Sequence, residues 1–169
     1  MNSATVLDIA LVGAVSLLLV MASLHDIAVR TIPNELSLIV LACGVLLRLA
    51  DGTLILSLVG STAVLLTGTL CWRFGWLGGG DAKLLAASAV AVPPALIGDL
   101  LVSTAAAGTV LAVLYLALPW LTGELPPRRR DTGLLRRIIR AEHWRIQRKA
   151  PLPYACAICL GALFVMQSR

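Results

Sequence analysis

Two aspartates with unusual neighbours are the residues best suited to chemistry in this chain. Asp81 follows three successive glycines, Gly78, Gly79 and Gly80, and Asp26 lies at the end of a long apolar segment. Three glycines in a row predict either a positive φ or a backbone that another group approaches closely. Two carboxyl groups brought together tend to share one proton, so one serves as a base and the other as an acid. Such a pair hydrolyses peptides without a metal or cofactor.

The composition predicts a membrane protein. Of the 169 residues, 59% are hydrophobic and 14% are charged, which is more apolar surface than one soluble core can bury. The hydropathy pattern predicts a single all-α, polytopic membrane domain over residues 1–169, with about six transmembrane helices. The first helix lacks a basic region before it, so we interpret it as retained rather than as a cleaved signal peptide. The predicted spans are 5–24, 34–50, 53–73, 82–98, 100–121 and 151–167.

The basic residues predict the orientation. Apart from Arg48 and Arg169, the 14 Lys and Arg residues lie in or beside the turns that follow odd-numbered spans, with Arg73 and Lys83 flanking the turn after the third. The positive-inside rule therefore places the amino terminus outside and the turns after odd-numbered spans in the cytoplasm.

The parity of the crossings, that is, whether an odd or even number of spans precedes a residue, then decides which acids lie at the same face. Asp26 follows the first predicted span and Asp81 the third, so both lie at the cytoplasmic face. Asp51 and Asp99 follow even-numbered spans and lie at the opposite face, where we interpret them as solvated turn residues. Asp81 is also a candidate N-cap of the fourth helix.

Three segments resemble a known family. "GWLGGGDAKLLAA" resembles the GxGD motif of the type IV prepilin peptidases, "DIAVRTIPN" resembles that family's first-aspartate segment, and "LPYACAICLGAL" resembles its last helix. The resemblance implies a GxGD aspartic protease of the bacterial inner membrane that removes short basic leaders from pilin or pseudopilin precursors. Cutting is expected at the cytoplasmic face, just before the precursor's hydrophobic helix and usually after a glycine. By motif match Asp26 and Asp81 are the catalytic pair, with the base and the acid unassigned.

The resemblance is closest to the short branch that serves tight-adherence, Flp-type pili. Longer members carry a cytoplasmic domain with a cysteine-rich metal motif, and many also methylate the new amino terminus. That domain is missing from this sequence, so we expect no methyltransferase activity. Cys156 and Cys159 form a CxxC within an apolar segment, where we interpret them as small packing residues rather than metal ligands.

Residues beside the two acids have less specific roles. Arg30 and Lys83 are expected to anchor the chain at the cytoplasmic face, or alternatively to tune a carboxyl group or contact substrate. Pro33 and Asn34 are expected to begin the second helix, with Asn34 satisfying free amides. The triple glycine offers a backbone edge that could pair with an unwound substrate strand.

The only sizeable polar region is the basic loop 123–149. Its pattern predicts a cytoplasmic amphipathic helix on anionic lipid headgroups. Because the basic run lies beside a membrane span, topology explains it, and we expect no nucleic-acid binding.

Two other functions share the paired acids. Presenilin-like and signal-peptide-peptidase-like GxGD proteases place their first acid in a Tyr-Asp pair, whereas His25 precedes Asp26 here. A small transporter or a pilus or secretion assembly scaffold could use the two carboxylates to bind a cation or proton.

Overall fold

The computed structural model describes residues 3–122 and 152–168, and the elements in these two ranges are helical. A short 3-10 turn, Pro94–Leu96, precedes the fifth helix. The all-α prediction is thus confirmed for the described residues, whereas the predicted amphipathic helix in 123–149 lies outside them. The α-helices in the described ranges are α1 (Ser3–Val29), α2 (Asn34–Ala50), α3 (Leu54–Arg73), α4 (Gly79–Ala91), α5 (Ile97–Thr122) and α6 (Tyr154–Gln167).

Helix α4 lies at the centre of the fold. It packs against α2, α3 and α6, while α1 packs against α2 and α6, and α5 packs against α6. Apart from one lysine, every side chain from Ala82 to Ala91 is buried. Glycines permit the close packing: a Cβ on Gly44 of α2 would lie 2.8 Å from the Ala91 backbone nitrogen, and one on Gly68 of α3 would lie 3.0 Å from the Ala82 Cβ. These contacts fix α4, whose first turn carries Asp81.

Three of the described helices are long and apolar enough to cross a membrane: Thr5–Val29, Leu54–Arg73 and Pro94–Ala117. Their outward faces expose large apolar side chains, among them Ile55 with 80% exposure, as expected when lipid is the solvent. Helices α2, α4 and α6 are shorter, with 17, 13 and 14 residues. At about 1.5 Å per residue, α4 is only about 20 Å long.

The structure corrects two predicted helix ends. The fourth helix ends at Ala91 rather than near 98, because Pro93 forces the preceding Val92 out of the helical region, to φ −96° and ψ 144°. The first helix continues to Val29 rather than ending near 24. Asp26 therefore lies inside the last turns of α1 and not in a turn after it.

Candidate active site

Asp26 is held at the junction of α1 and α6. Its side chain is buried, with 6% exposure, and its Oδ2 accepts a hydrogen bond from the Ala155 backbone N–H at 3.3 Å. Ala155 lies in the first turn of α6, where the helix leaves amides free and carries partial positive charge. The start of α6 thus supports a carboxylate at this position. Neither composition nor the number of crossings predicted this contact.

Asp81 is the third residue of α4, so the interpretation of Asp81 as the N-cap is wrong. Gly78 is the N-cap, and its backbone N–H donates a hydrogen bond to the Asp81 carboxyl group. This is the returning half of a capping box, in which the third helical residue satisfies the N-cap amide. The Asp81 Oδ1 atom is buried with no hydrogen-bond partner in the described part of the chain. A proton on Oδ1 would give this oxygen the capacity to donate to a bound group.

The two carboxyl groups lie within electrostatic reach of one another. Asp81 is outside the three candidate membrane spans, and its pKa is raised from 3.8 to about 7. Burial is the largest cause and the charge of Asp26 the second, while the hydrogen bond from Gly78 acts in the opposite direction and lowers the pKa. Near neutral pH, Asp81 therefore exchanges a proton readily beside a second carboxyl group. The chain brings together the two acids that parity placed on one face.

The triple glycine does not serve to adopt a positive φ. In the described residues, glycines with positive φ are Gly52 and Gly75, whereas Gly78 has φ −70° and ψ 144°. Two explanations for the glycines were predicted. The positive φ is wrong, so the close approach of another group to the glycine backbone remains. Since Gly79 and Gly80 belong to α4, the extended backbone of this motif is confined to Gly78.

Each of the three glycines has a close neighbour where a Cβ would stand. A Cβ on Gly78 would lie 2.5 Å from the Asp81 Oδ2. One on Gly79 would lie 3.3 Å from the Trp72 Nε1, and one on Gly80 would lie 3.2 Å from the Ile32 Cβ. The glycines therefore make room for the catalytic candidate itself, for an indole ring and for the turn after α1.

The turn after α1 is fastened to the glycine motif. Ile32 covers Gly80, and the Lys83 Nζ donates a hydrogen bond to the Asn34 Oδ1 at 3.1 Å. Pro33 is the N-cap and Asn34 the first residue of α2, so the predicted start of this helix is confirmed. Asn34 does not cap α2 through its side chain, because that oxygen accepts from Lys83 instead. Lys83 thus links α4, which carries Asp81, to the first residue of α2.

Arg30, the residue after α1, has a left-handed backbone conformation, with φ 61°. Its backbone N–H still donates to the Asp26 carbonyl oxygen at 2.8 Å, and His25 Nδ1 lies 2.7 Å from the Thr31 carbonyl oxygen in the same turn. A side chain on a left-handed residue costs about 1 kcal/mol or more, which glycine avoids. The structure therefore gives Arg30 a backbone role that the sequence did not suggest.

We expect Arg30→Gly to be more stable than Arg30→Ala by about 1 kcal/mol, because both variants lose the arginine side chain and only glycine relieves the left-handed backbone. Thermal unfolding of both variants in the same detergent measures the difference. Equal stability of the two would contradict a left-handed Arg30.

None of the four cysteines forms a disulfide in the described residues, and Cys159 lies in the hydrophobic core. Cys156 Sγ lies 4.0 Å from the Ser23 carbonyl oxygen. In the described ranges, no group of three or more His, Cys, Asp or Glu side chains is placed to hold a metal ion. Cys159 thus packs as the sequence predicted.

Comparison with known proteins agrees with the geometry. A family model described as the type IV leader peptidase family matches residues 13–120. Comparison with curated proteins and with solved structures gave no match. The matched residues include both acids and the triple glycine, and they end before α6, which supplies the amide that binds Asp26. The match covers more than half of the sequence, and the chain belongs to the type IV leader peptidase family.

Proposed function

We propose that the chain is a membrane aspartic endopeptidase that removes the leader from type IV pilin-like precursors, with Asp26 and Asp81 as its catalytic pair. The observation that carries this proposal is the electrostatic interaction between a buried carboxyl group, Asp26, and a partly buried one, Asp81, in a chain of the leader peptidase family. The chemistry requires no cofactor, because one carboxylate and one carboxylic acid supply both a base and an acid. Flp-type precursors are the proposed substrates, since the sequence resembles the short branch of the family.

The proposed setting is the bacterial inner membrane, with six crossings and the amino terminus outside. Helices α2, α4 and α6 pack against the three long apolar helices, so they would cross alongside them. Asp26 near the end of α1 and Asp81 at the start of α4 then share the cytoplasmic face. The basic residues of the loop 123–149 would lie on that face among anionic lipids.

We assign the base to Asp26 and the acid to Asp81. Asp26 receives a hydrogen bond from the start of α6, which stabilises a carboxylate able to accept a proton from water. The resulting hydroxide equivalent attacks the carbonyl carbon of the scissile bond. Asp81 donates its proton to the carbonyl oxygen. When the carbon–nitrogen bond breaks, Asp26 gives the departing amine the proton that it took from water, and Asp81 recovers its proton as the carbonyl group of the new carboxylic acid forms. The raised pKa of Asp81 keeps its acid form available near neutral pH.

The test is cleavage of an Flp-type pilin precursor by the purified protein in liposomes. We expect one cut between the leader and the apolar helix, located by mass spectrometry of both fragments. A precursor that stays intact in the presence of the folded protein would refute this function. Methylation of the new amino terminus is not expected.

Cleavage is expected to slow above pH 7. Because Asp81 acts as the acid and its pKa is raised to about 7, its active form is present below that pH and is lost above it. The single-turnover rate should then fall about tenfold per pH unit well above pH 7. Rates measured from pH 5.5 to 9 with an amino-acetylated precursor exclude titration of the substrate's amino terminus. A constant rate across pH 6 to 9 would contradict the assignment of Asp81 as the acid.

A further inference from the structure

We propose that an apolar groove between α3 and α5 seats the membrane helix of the substrate, and that it guides the scissile bond to the two acids. This inference rests on the proposed peptidase function. The groove, called the α3–α5 groove below, has a volume of about 760 Å³ and lies over α4. Residues that define it include Leu56, Gly60 and Thr67 of α3, Leu85 of α4, Leu101 of α5 and Tyr154 of α6.

The dimensions of the α3–α5 groove suit a transmembrane segment. Its lining follows α3 from Leu56 to Cys71, which corresponds to about 22 Å along the helix. This is most of the about 30 Å thickness of a hydrocarbon core. The groove is lined almost wholly by apolar and small side chains, so its occupant must be long and apolar.

Small residues on the wall favour a helical occupant over a lipid chain. Ala63 and Thr67 are exposed and line the groove along α3 four residues apart, whereas Gly60 and Gly68 face Ile97 and Ala82 within the fold. Small side chains at such spacing let two membrane helices bring their backbones close and gain packing contacts. A wall of small side chains helps an acyl chain less, because an acyl chain is thin and does not need the extra room that a helix needs.

The end of the α3–α5 groove that is lined by Leu85 and Tyr154 lies next to the candidate catalytic pair. Leu85 lies four residues after Asp81, on the same face of α4, and it lines the groove. Tyr154 also lines the groove and lies within electrostatic reach of Asp81. The next residue, Ala155, binds Asp26. A helix in the groove would therefore place its first residues beside both acids.

A second groove is an alternative seat for the substrate helix, and its position relative to Asp81 differs from that of the α3–α5 groove. It has a volume of about 440 Å³, lies between α2 and α3, and is called the α2–α3 groove here. Its polar end contains Glu35 and Lys83, and Lys83 lies two residues after Asp81 on a different face of α4. The α2–α3 groove therefore does not open toward the carboxyl group of Asp81, which favours the α3–α5 groove as the route to the acids.

A matched pair of threonines on α3 tests the proposal. Thr67 lines the α3–α5 groove and donates to the Ala63 carbonyl oxygen at 2.9 Å. Thr69 is exposed, lies outside the lining of that groove and makes the same kind of bond to the Leu65 carbonyl oxygen at 2.7 Å. Thr67→Trp fills the groove, whereas Thr69→Trp places the same ring elsewhere on the helix. Each variant is assayed on an Flp-type pilin precursor and on a peptide of that precursor truncated before its apolar helix.

We expect Thr67→Trp to lower kcat/KM for the full precursor at least about tenfold more than for the truncated peptide, because only the full precursor uses the groove. Thr69→Trp should change both values equally or not at all. Equal losses on both substrates with Thr67→Trp, or no loss on the full precursor, would overturn the proposal.

Photo-crosslinking separates this proposal from the peptidase function. A benzoylphenylalanine at position 67, but not at position 69, should crosslink to the apolar helix of the full precursor in liposomes. This result is independent of cleavage, so a crosslink with no proteolysis would sustain the groove and refute the peptidase. Crosslinks from position 67 only to lipid, or only to a second copy of the chain, would refute the groove.

Discussion

Replacing Asp81 by Asn is expected to lower kcat for precursor cleavage by about 10²–10⁴-fold, because the amide has no acidic proton to donate toward the carbonyl oxygen. Asp26→Asn should cause a loss of the same order, since the amide cannot take a proton from the attacking water. Both substitutions preserve side-chain size, so KM should change far less than kcat. Single-turnover cleavage in liposomes measures the effect.

Two comparisons make this expectation specific to the pair. Asp99→Asn removes an exposed carboxylate from the first turn of α5 and should leave kcat unchanged. The double variant of Asp26 and Asp81 should be about as slow as either single variant, because the two acids act as one unit. Processing at the wild-type rate by either single variant would remove that residue from the catalytic pair.

The proximity of the two acids could be predicted from the order of the apolar segments. Apolar segment lengths indicated the helices, and parity placed Asp26 and Asp81 together although the sequence separates them widely. The structure brings these two carboxyl groups within electrostatic reach. Parity is informative here because a chain that crosses a membrane leaves each turn only two possible sides.

The partners of each acid could not be predicted in the same way. The bond from Ala155 to Asp26 joins residues 129 positions apart, and it depends on how α6 packs against α1. Hydropathy carries no information about which backbone amide faces which side chain. The proposed assignment of base and acid rests on such local partners, which the sequence does not show, so the sequence left the two roles open.

Glycine patterns were similarly ambiguous. A run of glycines is compatible with positive φ or with close contact, and sequence does not distinguish them. Here Gly75 and Arg30 adopt the left-handed conformation, while the triple glycine does not. Proline was more informative, yet the effect of Pro93 on Val92 still shortened α4 relative to its hydropathy pattern.

Gly78→Ala is expected to lower kcat by about 10–100-fold, although it adds only one methyl group. Its Cβ would lie 2.5 Å from the Asp81 Oδ2, so the carboxyl group must rotate away from its position beside Asp26. A misplacement of about 1 Å in a catalytic group reduces rates on this scale. Stability should change by only about 1 kcal/mol, since alanine is a moderately poorer N-cap than glycine. Single-turnover rates and thermal unfolding in detergent measure the two effects separately.

Gly79→Ala is the matched control, because it adds the same methyl group one residue later. Its Cβ would lie 3.3 Å from the Nε1 of Trp72, whose side chain is 56% exposed and free to shift outward. Its rate should stay within about threefold of wild type, since no catalytic group has to move. Equal losses for the two alanines would mean that the glycines act through backbone flexibility. A larger loss at Gly78 would mean that this glycine exists to leave space for the Asp81 carboxyl group.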